Sequence, residues 1–199
     1  MHRPLRIAVA DDERDVRDFF REFLPPLGHT VVGTAADGRE LIDLCRKEKP
    51  DLIIADIKMP ETDGIDAARV VYRERPVPVI LVSAYHDTTL LARAEAEHVL
   101  AYLVKPIKAA DLAPAIGVAT KRFEEFQALR QEADDLRQAL EDRKVIERAK
   151  GVLMKRAGLE EAEAFRRMQK LASEKSRKLA DIAAMILVAE EAAQPAGVA

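Results

Sequence analysis

The chain has 199 residues, 48% of them apolar and 34% charged, so it is long enough for two domains and apolar enough to bury a core. Its 32 basic and 35 acidic side chains give a net charge of −3, which excludes a chain that is basic throughout. The single cysteine, Cys45, excludes a disulfide framework and a multi-cysteine metal site. The longest strongly apolar stretch, residues 182–189, is far shorter than the roughly 20 residues of a membrane span, and residues 1–4 hold no signal-peptide region. We therefore expect a cytoplasmic protein without a membrane partner.

The first 120 residues alternate short apolar runs with longer segments of helical periodicity. Near-continuous runs of Val, Ile and Leu are typical of parallel strands that are covered on both faces. Five repeats of strand and helix predict an open parallel sheet with helices on both faces. The predicted strands are residues 5–10, 30–35, 52–55, 79–82 and 101–104, and the predicted helices lie around residues 16–24, 40–49, 67–75, 90–97 and from 109 onward.

Beyond about residue 108 the sequence favours continuous helix. Between residues 115 and 155 there is no proline, and the only glycines are Gly117 and Gly151. Within this stretch apolar residues recur at alternating spacings of three and four, which is the pattern of a coiled-coil dimer seam. The pattern covers two heptads only, so a single helix packed on its own domain is the alternative. The predicted seam consists of Phe126, Leu129, Ala133, Leu136 and Leu140.

From about residue 142 onward the pattern predicts a module of three short helices. Gly158 is placed as a glycine that follows a helix end, and Glu160 and Glu161 favour the start of the next helix through the helix dipole. Residues 143–178 hold 12 basic and 5 acidic side chains, a local charge of +7. A protein that binds a polyanion would present such a patch, although solvated helix surfaces also carry such charge.

Chemically distinctive side chains follow four of the predicted strands. Asp11 and Asp12 come directly after the first strand, and Asp56 ends the third. Ser83 ends the fourth strand and Lys105 ends the fifth. In a doubly wound sheet ligands bind at these carboxyl ends, where three carboxylates would repel each other unless a divalent cation lay among them. Oxygen ligands select Mg²⁺ or Mn²⁺, and a carboxylate beside a hydroxyl and an ammonium predicts a phosphoryl-transfer site.

These motifs resemble the receiver domain of two-component response regulators. They are Asp11-Asp12-Glu13, residues 56–64, Ser83-Ala84 and residues 102–106, and the resemblance covers residues 5 to about 118. It implies an α/β fold with a flavodoxin-like, doubly wound, five-stranded parallel sheet. It also implies that a cognate histidine kinase phosphorylates the protein.

The same resemblance implies roles for individual residues. Asp56 would be the phosphoacceptor, and Asp11, Asp12, Asp56 and the main-chain carbonyl of Lys58 would hold Mg²⁺ or Mn²⁺. Ser83 and Lys105 would bind the phosphoryl group, with a cis peptide between Lys105 and Pro106. Tyr102 would be the aromatic switch that turns inward as Ser83 moves.

Two further expectations concern the edges of this site. Lys58 and Tyr85 occupy positions that in this family influence the hydrolysis of the phosphoaspartate. Before the fifth strand the family commonly has a glycine turn, where this chain has residues 96–99. His98 tolerates a positive φ better than most residues, so the turn can form, and no second metal ligand lies near it in the sequence.

The end of the chain resembles the ANTAR domain, a three-helix RNA-binding output domain of transcription antitermination regulators. Residues 146–155, Ala164-Phe165 and residues 178–183 carry this resemblance, which spans about residues 142–190. Glycine within a helix costs about 1 kcal/mol relative to alanine, so Gly151 indicates either close approach of RNA or tight packing against the third helix. Phe165 and Met168 are predicted to be core. The candidate RNA contacts are Arg148, Ala149, Lys150, Gly151, Lys155, Arg167, Arg177 and Lys178.

Together these patterns predict a phosphorylation-controlled regulator that binds RNA hairpins and causes antitermination. We assign residues 1–118 to the receiver, 119–141 to a coiled-coil-like linker, 142–192 to the ANTAR-like module and 193–199 to a flexible tail. A phosphorylation-promoted homodimer would hold two hairpins at once. We expect no enzymatic turnover except that of the chain's own aspartyl phosphate.

Three alternatives remain open at this point. The first is a DNA-binding response regulator, although no clear helix-turn-helix recognition segment is present. The second is a phosphatase that uses the carboxylate site, and the third is an interaction scaffold whose tail binds protein.

Overall fold

The computed structural model describes residues 3–84 and 101–193 of the chain. Two compact units divide the chain, Met1–Gln127 and Ala128–Ala199, and the division falls inside the predicted linker. The predicted helix at residues 90–97, together with Tyr85 and His98, lies outside the described residues, as does the end of the predicted tail from residue 194.

A five-stranded parallel sheet forms the centre of the first unit. Its strands are β1 (Arg6–Ala10), β2 (Thr30–Ala35), β3 (Leu52–Asp56), β4 (Val79–Ser83) and β5 (Ala101–Val104). They are ordered β2-β1-β3-β4-β5, so the strand order reverses between β1 and β3. Each strand agrees with its predicted bounds to within one residue, because the central strands are covered on both faces and are therefore apolar along most of their length.

Helices cover both faces of this sheet, as predicted. They are α1 (Arg14–Phe23), α2 (Gly38–Glu48), α3 (Gly64–Glu74) and α4 (Ala109–Ala157), with a 3₁₀ turn at Pro25–Leu27. Alternate residues of β1 point to opposite faces. Ile7 and Val9 lie in one apolar cluster with Phe20 of α1 and Leu112 of α4. Their neighbours Ala8 and Ala10 lie in a second cluster, to which α2 and α3 contribute.

Aspartates cap two of the helices and fix where they begin. The Asp37 carboxylate accepts a hydrogen bond from the Glu40 main-chain N–H at 2.8 Å, and the Glu40 carboxylate accepts one from Ala36 N–H at 2.8 Å. The Asp63 carboxylate accepts from Asp66 N–H at 2.8 Å. These contacts satisfy N–H groups that have no partner within the helix. The cap at Asp63 sets the position of α3 directly after the loop that follows β3.

Helix α4 has 49 residues and continues into the second unit. Three of the predicted seam leucines on it are exposed: Leu129 is 66% exposed, Leu136 60% and Leu140 59%. The interpretation that this stretch packs its apolar stripe on the chain's own domain is therefore wrong for these leucines. Within residues 3–84 and 101–193, no helix is both long enough and apolar enough to cross a membrane.

The second unit contains the predicted three-helix module. Gly158 follows the end of α4 with a left-handed φ of 63°, and α5 (Glu161–Glu174) and α6 (Leu179–Ala193) complete the module. Its core consists of Ala149, Met168 and Ala183, one residue from each helix, surrounded by half-buried aliphatic side chains. Met168 is fully buried, which confirms its assignment to the core, and Phe165 is half-buried.

Candidate phosphorylation site and nucleic-acid interface

The reversal of strand order brings the predicted carboxylates together. Asp11 follows β1 and Asp56 ends β3, and these two strands are neighbours in the sheet. One carboxylate oxygen from each of Asp11, Asp12 and Asp56 lies within 4.8 Å of the others. Asp11 and Asp56 are buried, whereas Asp12 is exposed. The cluster therefore has a buried base and an open side towards solvent.

Lys105, which follows β5, extends its ammonium group into the cluster. Its Nζ lies 3.0 Å from Asp56 Oδ2, 3.1 Å from Asp11 Oδ2 and 2.8 Å from Glu13 Oε1. Partial burial lowers the pKa of Lys105, but hydrogen bonds to the three carboxylates outweigh it, so the net pKa is raised. The ammonium thus stays charged at physiological pH and is placed against the oxygen of Asp56.

The other predicted receiver residues lie around a cavity of about 240 Å³ that Asp56 and Lys105 also line. Ser83 and Lys58 both border it, and the Ser83 hydroxyl donates to the Ala84 carbonyl at 3.0 Å. The Lys105–Pro106 peptide is cis, which confirms the expectation. Tyr102 is 58% exposed and points away from the interior. The cavity is therefore bordered by a carboxylate, a hydroxyl and an ammonium, the groups that a phosphoryl group needs.

The sequence motifs do not indicate Arg17 or the contact that the Glu13 main chain makes in the cluster. The Arg17 guanidinium donates to the Asp11 carbonyl at 2.5 Å and to the Asp12 carbonyl at 2.9 Å. Asp11 Oδ1 accepts from the Glu13 N–H at 2.9 Å. Arg17 lies one helical turn after Glu13, so its spacing from the motif is the feature of the sequence that could indicate its contact with the cluster. These contacts hold the loop that carries both aspartates in one conformation.

One buried oxygen of the cluster accepts no hydrogen bond. Asp11 Oδ2 is fully buried and accepts none, although Lys105 Nζ is 3.1 Å away. Burial raises the pKa of Asp11 and outweighs the hydrogen bonds from the Glu13 N–H and Lys105, which lower it, and the nearby Asp56 charge adds a smaller upward shift. A buried carboxylate beside two others, one of whose oxygens accepts no hydrogen bond and faces only the Lys105 ammonium, fits a hard divalent cation, which prefers oxygen ligands.

In the second unit the structure removes two residues from the predicted RNA contacts. Ala149 is fully buried between the three helices, so it cannot form part of an exposed face. Lys150 is only 9% exposed, and its Nζ lies 2.8 Å from Glu147 Oε2 and 2.6 Å from Glu161 Oε1. The hydrogen bonds to Glu147 and Glu161 raise the pKa of Lys150. Lys150 therefore joins α4 to the first residue of α5.

Three of the predicted contacts line one groove between α4 and α6. Arg148, Gly151 and Lys155 follow each other along α4, and Leu187 and Glu190 of α6 form the opposite wall of this cavity of about 490 Å³. A Cβ atom built on Gly151 would meet nothing within 4 Å. Tight packing against the third helix is therefore not the reason for this glycine. Arg167, Arg177 and Lys178 are also exposed but do not line the groove.

Family models match both units. The model of the response regulator receiver domain matches residues 7–117, and the model of the ANTAR domain matches residues 134–187. The chain therefore belongs to the response regulators that join an N-terminal receiver domain to a C-terminal ANTAR domain. It is a phosphorylation-controlled regulator with an RNA-binding output domain.

The chain is similar to curated proteins of the same class. It is 40% identical to the transcriptional regulatory protein PdtaR of Mycobacterium tuberculosis over 184 residues, which cover 92% of this chain and 90% of PdtaR. The transcriptional regulatory protein HptR of Staphylococcus aureus is 30% identical over 125 residues, 62% of this chain and 49% of HptR. The likeness to PdtaR therefore extends over both domains.

Solved receiver domains resemble the first unit. The receiver domain of the response regulator NarL from Mycobacterium tuberculosis aligns with a TM-score of 0.56 and 27% identity, covering 60% of this chain and 98% of that domain. A receiver domain protein from Clostridium thermocellum aligns with a TM-score of 0.56 and 30% identity, covering 61% and 98%. The α/β fold predicted from the strand and helix repeats is thus confirmed.

Proposed function

We propose that Asp56 is the phosphoacceptor and that its phosphorylation controls binding of RNA hairpins by the ANTAR domain, which causes transcription antitermination. The observation that carries the first half is the 3.0 Å contact between Lys105 Nζ and Asp56 Oδ2 at the edge of a cavity that reaches solvent. The second half is supported by the groove around Gly151, which Arg148, Lys155 and Arg156 line together with Glu190 and Glu191. The backbone of Gly151 is open there to an incoming molecule.

The reaction at Asp56 is a transfer of a phosphoryl group. A carboxylate oxygen of Asp56 attacks the phosphorus of a phosphohistidine on the partner kinase, or of a small donor such as acetyl phosphate. The new O–P bond forms as the bond to the leaving group breaks, and the electron pair leaves with the imidazole or acetate. Lys105 stabilises the charge on the phosphoryl oxygens, and the Ser83 hydroxyl is placed to donate to one of them. We propose that turnover of this aspartyl phosphate is the chain's only reaction.

We propose that Asp11, Asp12, Asp56 and the main-chain carbonyl of Lys58 hold Mg²⁺ (or Mn²⁺) at this site. When bound, the ion neutralises negative charge between the cluster and the phosphoryl group. The closely spaced carboxylates and the buried Asp11 Oδ2, which accepts no hydrogen bond, support this assignment. Arg17 keeps the two loop aspartates in place through their carbonyl groups.

Replacement of Asp11 with asparagine is expected to stabilise the metal-free protein while it removes the response to Mg²⁺. A raised pKa means that the fold disfavours the ionised carboxylate, so Asp11 costs stability as pH rises above its unfolded-state pKa. The neutral amide removes that cost. A gain of 1 kcal/mol would raise Tm by roughly 3 °C.

Thermal unfolding without Mg²⁺, and with Mg²⁺ concentrations that increase in tenfold steps, checks this result. Wild type should gain stability with Mg²⁺, and the Asp11→Asn variant should start higher and gain little. Asp15→Asn, an exposed change on α1, is the matched control and should behave as wild type. A lower Tm of Asp11→Asn without metal would contradict the expected cost of this carboxylate.

The link from the site to the surface runs along β4 and β5. Ser83 pairs with Val104, and the Lys105 N–H donates to the Ser83 carbonyl at 2.9 Å. Tyr102 lies on β5, the strand that contains Val104, and its side chain is exposed in this state. We propose that movement of Ser83 towards the phosphoryl group lets Tyr102 turn inward. The surface around β5 then changes with the phosphorylation state.

For the output domain we propose that Arg148, Gly151 and Lys155 contact RNA. Arg148 and Lys155 lie on either side of a glycine that leaves the helix backbone exposed, and the third cation of the groove, Arg156, is paired with Glu190. RNA hairpins are recognised through splayed loop bases and backbone contacts, and this arrangement permits both. Arg167, Arg177 and Lys178 remain candidates for outer phosphate contacts because they are exposed.

The test is binding to an RNA with two adjacent hairpins, with and without acetyl phosphate and Mg²⁺. Phosphorylation should increase the affinity of wild type, and Asp56→Ala should abolish that increase. Lys155→Ala should weaken binding and reduce the salt dependence by about one phosphate contact, whereas Lys175→Ala, outside the groove, should not. Preference for duplex DNA of equal length would refute RNA as the ligand, and an unaltered response of Asp56→Ala would refute the phosphoacceptor.

We also propose that phosphorylation promotes a homodimer through the seam on α4. The exposed leucines at positions 129, 136 and 140 are the apolar contacts that a two-stranded coiled coil needs. Two heptads give marginal association, which a phosphorylation-dependent dimer requires. A dimer carries two RNA-binding modules and gains avidity for paired hairpins.

Leu136→Glu is expected to abolish this dimer without unfolding the monomer. The side chain is 60% exposed, so its replacement should change the free energy of unfolding by at most about 0.5 kcal/mol. Sedimentation of the beryllofluoride-treated protein measures the dimer. Ala128→Glu, which adds the same charge to an exposed position outside the seam, should dimerise as wild type does. A Leu136→Glu protein that still dimerises would show that another surface is used.

A further inference from the structure

Glu13 occupies an unusual position for its residue type. It is the N-cap of α1, with φ −77° and ψ 117°, yet its side chain makes no capping hydrogen bond. Ser, Thr, Asp and Asn are the residues that cap helices well, because their short side chains reach the free N–H groups. The longer Glu13 side chain instead extends to the phosphorylation site, where Oε1 lies 2.8 Å from Lys105 Nζ.

Lys105 has three carboxylate partners in this state, and its ammonium has three hydrogens to give. The nearest oxygens belong to Glu13, Asp56 and Asp11. A phosphoryl group on Asp56 adds oxygens that need the same ammonium, so one existing partner must give way. The Glu13 side chain is 62% exposed, whereas those of Asp11 and Asp56 are 0% and 9% exposed. Water can replace Lys105 as the partner of Glu13 at a lower free-energy cost than it can for either buried aspartate.

We propose that Glu13 is a positioning residue that holds Lys105 in the unphosphorylated state and competes with the phosphoryl group for it. The contact between Glu13 and Lys105 disfavours the phosphorylated state in two ways. It occupies a donor that the phosphoryl group needs, and it keeps an additional negative charge beside a group that itself carries negative charge. Glu13 thereby lowers the occupancy of the phosphorylated state at a given supply of donor. The inference rests on the proposed role of Asp56 as phosphoacceptor.

The test measures the affinity of the full chain for beryllofluoride in the presence of Mg²⁺ by calorimetry. Beryllofluoride adds to the carboxylate oxygen of the acceptor and presents three fluorines where the phosphoryl oxygens would lie. Glu13→Gln keeps the length of the side chain and removes its charge, and it should tighten binding by about threefold to tenfold. The gain should shrink in 1 M salt, because an exposed charge is screened there.

Two further variants separate this role from a structural one. Glu13→Asp keeps the charge but is one methylene shorter, so it should cap α1, raise Tm and bind beryllofluoride no more weakly than wild type. Glu22→Gln removes the same charge from an exposed position on α1 and should leave the affinity unchanged. A purely structural role of Glu13 would alter Tm without a salt-dependent change in affinity.

Unaltered or weaker binding by Glu13→Gln, or an equal gain in Glu22→Gln, would overturn the proposal for Glu13. The Asp56→Ala variant distinguishes this failure from that of the underlying assignment. If wild type binds beryllofluoride and Asp56→Ala does not, the role of Asp56 stands whatever Glu13→Gln does. If Asp56→Ala binds as wild type does, or if wild type does not bind, both assignments are overturned.

Discussion

Gly64→Ala is expected to slow phosphorylation by at least tenfold and to lower the free energy of unfolding by about 1–3 kcal/mol. Gly64 is the first residue of α3, and a Cβ atom there would collide with the main-chain carbonyl oxygen of Asp56. The Gly64 N–H also donates to the Ile57 carbonyl at 2.9 Å, so the helix start and the end of β3 are held together. The added methyl group must push the backbone of the proposed phosphoacceptor.

The measurement is the initial rate of phosphoprotein formation from acetyl phosphate, together with chemical unfolding. Ile65→Val is the matched control, because Ile65 is the next residue of α3 and is fully buried. It should cost about 0.5–1.5 kcal/mol of stability but leave the backbone of Asp56 in place, so its phosphorylation rate should stay near that of wild type. Phosphorylation of Gly64→Ala at the wild-type rate would show that the site tolerates the displacement.

Gly151→Ala is expected to have the opposite effect on stability and to weaken RNA binding by roughly tenfold, about 1.4 kcal/mol. Gly151 lies within α4, and a Cβ atom at this position meets nothing within 4 Å. Alanine should therefore stabilise the helix by about 0.5–1 kcal/mol. The same methyl group fills the groove between Arg148 and Lys155 and keeps an RNA backbone or base away from the helix.

Chemical unfolding and hairpin binding of the same preparation check both parts of this expectation. Ala184→Gly supplies the reciprocal control, because Ala184 is an exposed position of α6. It should destabilise the module by about 1 kcal/mol and leave the RNA affinity unchanged. A Gly151→Ala protein that is more stable and binds hairpins as tightly as wild type would remove the groove from the RNA interface.

The fold and the carboxylate cluster were accessible from the sequence for the same physical reason. Strands buried on both faces must be apolar throughout, so polar residues directly after them are conspicuous. Asp11, Asp56 and Ser83 follow or end such strands, Lys105 follows the half-covered strand β5, and parallel strands bring these ends to one edge of the sheet. Their proximity follows from the topology alone.

The contacts that helix residues make with the site are harder to predict from the sequence, because they depend on how each helix is rotated about its axis. Arg17 reaches two main-chain carbonyls and Glu13 reaches Lys105, which is 92 residues away in sequence. No local pattern identifies such partners. In the second unit the sequence does carry such a signal: Ala149 stands at helical spacing between Val145 and Leu153, which pack against the same core. That spacing indicates a buried alanine.

The ion pairs of Lys150 reduce the positive charge that the surrounding basic segment can offer to RNA. Residues 143–178 carry a formal charge of +7, but an ammonium held by Glu147 and Glu161 attracts few counterions and has none to release when RNA arrives. Non-specific attraction to bulk RNA should accordingly be weaker than the count of lysines and arginines suggests. In a cell rich in ribosomal and messenger RNA, this weaker non-specific binding leaves more of the regulator free to bind its hairpins.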